Sequence, residues 1–178
     1  MHIITTILIA LAAIIALVFI IALFIKKEHY AKTEIIINAP RQKVFDFLKF
    51  VGNQKKFNKQ AMTDPDRSAA YKGTDGTVGF VYSWSGDKDA GEGAKEIIEI
   101  VDGKRIEMEI RFVKPMKAVG RMVMETETVA GDNTKVSWSN RGLLPYPLNI
   151  FVPMVEKNVS KDMATSLITL KNILEQES

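Results

Sequence analysis

The segment from Pro153 to Gln176 can fold only as a helix that something else covers. On a 3.6-residue period Val155, Val159, Met163, Leu167, Leu170, Ile173 and Leu174 fall on one side, while Lys157, Asn158, Lys161, Thr165, Thr169, Lys171 and Asn172 fall on the other. Such a helix draws its stability from packing its apolar stripe and needs a partner surface. A long run of strand-like segments precedes it. The pattern predicts an α+β domain: a curved antiparallel sheet wrapped around the terminal helix, with space left between them.

The opposite end of the chain is different in kind. Ile3 to Ile25 carries no charged residue and is almost wholly Ile, Leu, Ala, Val and Phe. At about 1.5 Å per residue this makes a helix of roughly 35 Å, enough for a hydrocarbon core of about 30 Å. A cleaved signal peptide fits less well, because no Lys or Arg precedes the apolar run and no small-x-small site follows it. The expectation is a retained single-pass anchor in residues 1–27, a short polar linker in residues 28–32, and one folded domain in residues 33–178. Lys26 and Lys27 directly follow the span, which predicts a membrane protein whose folded part is cytoplasmic.

Charge is unevenly spread. Between Lys26 and Lys59 nine Lys/Arg stand against three Asp/Glu, and the remainder of the chain is net acidic. Cations beside an anionic leaflet are worth about 1 kcal/mol each. The same lysines make a poor nucleic-acid surface, since Phe57 is the one aromatic among Lys55, Lys56 and Lys59 and no aromatic platform accompanies them. No nucleic-acid partner is expected. The chain has no cysteine and two histidines, His2 and His29, both beside the apolar run. The folded domain therefore has no imidazole and no thiol, which excludes Ser-His-Asp and Cys-His chemistry. No metal ligands and no cofactor are indicated.

Between the two ends the chain reads as a strand at Thr33–Ile37, a helix from about Pro40 to Val51 capped by Asn38, and a short helical piece at Lys55–Lys59. Turn chemistry follows at Thr63-Asp64-Pro65-Asp66. Strands are expected at Ala69–Lys72, Val78–Ser85, Gly93–Val101, Arg105–Phe112, Arg121–Val129 and Lys135–Arg141. Gly86-Asp87-Lys88-Asp89 and Gly131-Asp132-Asn133 read as turns, and Asp102-Gly103 as a hairpin.

With these elements in order, particular residues carry a family likeness. They are Asn38-Ala39-Pro40 with Val44-Phe45, Asp64-Pro65, Gly76-Thr77-Val78-Gly79, Tyr82-Ser83-Trp84-Ser85-Gly86 and Gly91-Glu92-Gly93. Arg105-Ile106, Phe112, Pro115, Gly120, Thr134–Trp138 and Leu170–Glu175 extend it to the C-terminus. The chain resembles the START-like (SRPBCC) superfamily, in particular its polyketide cyclase/dehydrase-like members, many of which carry an N-terminal membrane anchor. The resemblance implies a helix-grip fold and a cavity between sheet and terminal helix. It implies no activity, because one fold hosts many functions. Relatives often carry tryptophans in the second short helix, where this chain has Phe57-Asn58-Lys59.

Alternation places Phe80, Tyr82, Trp84, Ile98, Met108, Ile110, Met122, Met124 and Trp138 on the inner face of the sheet, opposite Met163 and Leu167 of the helix. Large aromatics facing flexible methionines make an adaptable apolar lining. Glu96 shares a strand face with Ile98, and an inward Glu96 paired with Arg141 or Tyr82 could hold a ligand's polar end. Glu107, Glu109, Glu125 and Glu127 read as a solvated outer face. The expected function is a membrane-anchored binding module for a hydrophobic small molecule such as a lipid, isoprenoid or quinone. A cyclase or dehydratase using Tyr82, Glu96 or Arg141, and an interaction domain with a filled core, are the alternatives.

Overall fold

The computed structural model describes residues 2–62, 68–86 and 91–176. The turn at Thr63–Asp66, and all of the Gly86–Asp89 turn except Gly86, lie outside them. Helix α1 covers His2–Phe24, and strand β1 (Glu28–Asn38) begins almost at once. Then come α2 (Arg41–Lys49), a 3-10 turn (Val51–Asn53) and the short helices α3 (Gln54–Phe57) and α4 (Lys59–Met62). Six strands follow: β2 (Ser68–Lys72), β3 (Val81–Ser85), β4 (Glu92–Val101), β5 (Arg105–Lys114), β6 (Ala118–Ala130) and β7 (Asn133–Leu143). A second 3-10 turn (Leu148–Phe151) leads into the long helix α5 (Val152–Gln176). The seven strands form one sheet in the order β1-β7-β6-β5-β4-β3-β2, and every neighbouring pair is antiparallel.

The expected linker is part of the sheet. Glu28 pairs with Leu143 and Lys32 with Ser139, so residues 28–32 continue β1 toward α1. Their polar composition hides a period of two: Glu28, Tyr30 and Lys32 are exposed, while His29, Ala31 and Thr33 turn inward. Asn38 is likewise a strand residue and caps nothing. Pro40 holds the N-cap position of α2 without a side-chain bond, and the Asn38 amide donates to Glu175 at 2.6 Å.

The core forms where α5 and α2 cover one sheet face. Val44, Phe45 and Leu48 of α2 join Met163, Leu167, Leu170 and Leu174 of α5 in one buried cluster with the sheet's inner residues. The β4–β5 hairpin closes at Asp102-Gly103 as expected, with Lys104 N–H donating to the Val101 carbonyl at 2.9 Å and Gly103 at φ +65. Residue 103 must turn left-handed, which glycine does without strain.

The chain leaves α2 through a turn held by one carboxylate. Asp75 accepts the amides of Val51 at 2.8 Å and Gly52 at 2.9 Å. Asp75→Ala would leave two partly buried donors without acceptors. We expect it to lower stability by about 1–3 kcal/mol, whereas Asp75→Asn should recover part of the loss; urea unfolding of the detergent-solubilised chain measures both.

Candidate functional site

The inner set sorts into three groups. Met108, Met122, Met124 and Trp138 lie buried on the central strands, facing Met163 and Leu167, which are also buried. Phe80, Tyr82 and Trp84 are buried toward the far edge of the sheet. There Tyr82 stacks on Trp84 at 6.0 Å, and Tyr71 closes over Tyr82 at 5.5 Å. The Trp84 ring also rests on Gly93, where an added Cβ would meet its carbons at 2.6 Å. Ile110 is buried and lines a cleft with Met122 and Trp138.

Three expected members are elsewhere. Glu96 faces outward and accepts a hydrogen bond from Arg111 at 2.7 Å. Ile98 sits at a register shift: Ile97 pairs with Met108 and Glu99 with Glu107, which leaves Ile98 as the extra residue of a β-bulge. The bulge reverses the alternation. Ile97 is fully buried and Ile98 only half, and Lys95, rather than Glu96, turns toward the interior. Arg141 is exposed on the outer face, because the inward parity set by Val136 and Trp138 falls on Asn140. Tyr82, Glu96 and Arg141 therefore do not converge, and Glu96 pairs with Arg111 instead of Arg141 or Tyr82.

What the fold does bring together is a half-polar cleft between β4–β7 and α5. Its floor is Ile110, Met122, Trp138 and Met163; Asn58, Lys95, Asn140 and Ser166 are among the polar groups on its walls. Lys95 donates to Gln54 at 2.5 Å, and the buried Gln54 amide reaches the Met108 sulfur at 3.6 Å. Ser166 accepts the Lys59 amide at 2.9 Å, tying the short helices to α5. The indole N–H of Trp138 is buried with no acceptor among the described residues. A buried donor left unsatisfied costs about 1–3 kcal/mol, so this one is poised to take an acceptor.

Space is scarce. The cleft holds about 30 Å³, and a neighbouring one lined by Gln54, Tyr71, Tyr82 and Lys95 about 10 Å³. Either admits little more than a single water, well short of the roughly 300–1,000 Å³ of an ordinary ligand pocket. Around these two clefts, the aromatic and sulfur-bearing side chains of the described residues leave little of the room that was expected to stand open. A far roomier groove, about 550 Å³, lies on the outer face among Lys32, Glu34, Arg105, Glu125 and Lys135.

The outer face is a lattice of ion pairs, and one member departs from the solvated reading. Glu107 is buried between two guanidinium groups, bonded to Arg105 and to Arg121, the latter at 2.7 Å. Burial pushes its carboxyl upward, but the hydrogen bonds and charges of Arg121 and Arg105 together outweigh that and hold it below the usual carboxylate range.

Solved structures share this architecture. Norcoclaurine synthase from Thalictrum flavum, in complex with dopamine and hydroxybenzaldehyde, aligns over 85% of this chain and 89% of its own at 15% identity and a TM-score of 0.61. Ara h 8.0201 aligns over 83% and 97% at 14% identity and a TM-score of 0.57. The Aha1 dimer from Colwellia psychrerythraea aligns over 82% and 96% at 17% identity and a TM-score of 0.56. At these identities the likeness is one of fold, and it is the helix-grip fold of Bet v1-like proteins. No family model matches the chain, and no curated protein matches it by sequence.

Proposed function

We propose that this protein is a membrane-anchored module that holds a hydrophobic small molecule (lipid, isoprenoid or quinone-like) between sheet and α5, with the folded domain on the cytoplasmic side. The observation that carries the reading is the Trp138 indole N–H, buried and without an acceptor at the floor of a cleft walled by polar groups and floored by methionines. A guest's carbonyl or hydroxyl meets that donor, while its apolar body displaces Met122 and Met163. Methionine has three rotatable bonds and repacks at little cost. The small cleft is then the closed, guest-free form, and binding draws on a minor open one. Norcoclaurine synthase, with the same fold, has been seen with dopamine and hydroxybenzaldehyde.

Anchoring rests on α1. Ile3–Phe24 reaches a mean hydropathy of 3.4 over an 18-residue window and is long and apolar enough to cross a membrane, and Lys26 and Lys27 follow it. Held beside the bilayer, the cleft meets membrane-dissolved guests at high effective concentration.

Organic extraction of the full chain purified in detergent, followed by mass spectrometry, should recover a bound lipid-like species. Titration with a short-chain quinone should quench the tryptophan fluorescence, and Trp138→Phe, which keeps an aromatic ring but removes the donor and part of the indole's bulk, should weaken binding about tenfold or more, at least the contribution of one hydrogen bond. An empty extract together with no quenching would sink the reading. That outcome favours the second one, a non-catalytic interaction domain with a filled core, which the small volume of the clefts supports.

A further inference from the structure

The contact between α1 and the domain has geometry that a flexible tether would lack. Asn149, fully buried in the 3-10 turn before α5, donates to the carbonyls of Ala22 and Ile25, each at 2.6 Å, and so caps the end of α1. The Tyr146 ring packs edge-on against Phe19 at 5.8 Å, and its hydroxyl donates to the Phe19 carbonyl at 3.4 Å. Lys26 pairs with Glu156 at 2.7 Å, and the Leu144 amide donates to the Lys27 carbonyl at 2.8 Å. The β7–α5 connection is thus clamped alongside the last turns of α1.

That clamp sets a depth. A 23-residue helix at about 1.5 Å per residue is roughly 35 Å long, so centred on a core of about 30 Å it carries its last residue about 2 Å past the hydrocarbon edge. Phe19 then lies about 5 Å inside that edge. Tyr146, in contact with Phe19, is carried to the boundary itself, the level at which tyrosines concentrate.

The composition of the connection agrees. From Gly142 to Val155 there is no charged residue. Leu143 is 62% exposed, Phe151 47% and Met154 54%, beside Phe24 at 85%. Cations rim this end of the sheet: Lys27, Lys117 and Arg141 are exposed there, in addition to Lys26, whose charge is taken up by Glu156. Glu28 is an exposed acid at the same end, whereas Glu156 is neutralised by Lys26. Apolar tips backed by Lys and Arg match the acyl–headgroup boundary of an anionic leaflet.

We propose that the β7–α5 connection, Leu143 to Met154, is a second membrane contact, seated in the interface of the same leaflet beside α1. It rests on the reading above that α1 crosses the bilayer. The domain is then fixed against the lipid by two contacts, and Asn140, at the cleft, lies only about 10 Å along β7 from Leu143. A guest leaving the bilayer has that distance to travel.

The absence of cysteine allows single labels to be placed. The full chain, carrying Phe151→Cys or Met154→Cys labelled with an environment-sensitive fluorophore, is reconstituted into vesicles of phosphatidylcholine and phosphatidylserine. Ile14→Cys serves as the deep reference, and Val129→Cys, exposed at the far end of the sheet, as the aqueous one. The probes at 151 and 154 should be blue-shifted, quenched by lipid-borne spin labels, and several-fold less quenched by iodide than the probe at 129. If they match 129 while 14 is deep, the second contact is wrong and the anchor stands. If 14 is also open to iodide, the anchor and the proposal that rests on it both fail. Protection from iodide without quenching by lipid labels means that protein covers the segment, and overturns the proposal.

Discussion

Leu167→Ala is expected to lower the stability of the folded chain by about 3–5 kcal/mol. Urea unfolding in detergent, followed by the fluorescence of Trp84 and Trp138, provides the measurement. Leu167 is completely inaccessible to solvent at the centre of the cluster joining α5 to the sheet. The size of the effect separates a filled interior from a hollow one. Removing three carbons from apolar surroundings costs about 2–2.5 kcal/mol by transfer alone. The excess comes from contacts left facing a new void, and appears only where neighbours were in contact beforehand. A value near 2 kcal/mol would mean that Leu167 already borders empty space and that the closed form described here is wrong. A value near 4 supports a guest-free core that must open to admit a ligand.

Glu107→Gln should cost about 2 kcal/mol at neutral pH, because hydrogen bonds to a charged group are lost and Arg105 and Arg121 are left facing each other with a weaker acceptor. Its pH dependence is the sharper readout. The Glu107 carboxyl titrates below its ordinary value in the folded chain. Its stabilisation is therefore full above the unfolded pKa, about 4.3, and is lost as pH falls through the lower folded value. The wild-type and Gln curves should run parallel near neutrality and converge in acid, where a protonated Glu107 resembles glutamine. A constant gap down to the acid limit would mean that the guanidinium groups do not hold the carboxylate.

Where sequence patterns carried through, each was read over many residues. The stripe of α5 from Val159 to Leu174 and the alternation of Ile106, Met108 and Ile110 with Met122 and Met124 survive unchanged. Where they failed, one local event outweighed the pattern. A single extra residue at Ile98 moves Lys95 inward and Glu96 outward, and a period of two has no tolerance for an insertion. Lys95 and Gln54 left no sequence signal, since their meeting is a tertiary event. Asn140 was within reach, because the parity of Val136 and Trp138 already pointed to it rather than to Arg141. Glu107 looked like any outer-face acid until β6 brought Arg121 beside it.

The sequence by itself determined the apolar helix at one end, the covered helix at the other and the meander of strands between them. Each follows from a periodicity that short-range geometry imposes on side-chain direction. Only the tertiary structure decided how little room stands beside Trp138, which polar groups meet there, and that α1 is clamped to the β7–α5 connection through Asn149. Those depend on side chains distant along the chain arriving within a few ångströms of one another. Packing sets that distance, and no local pattern records it.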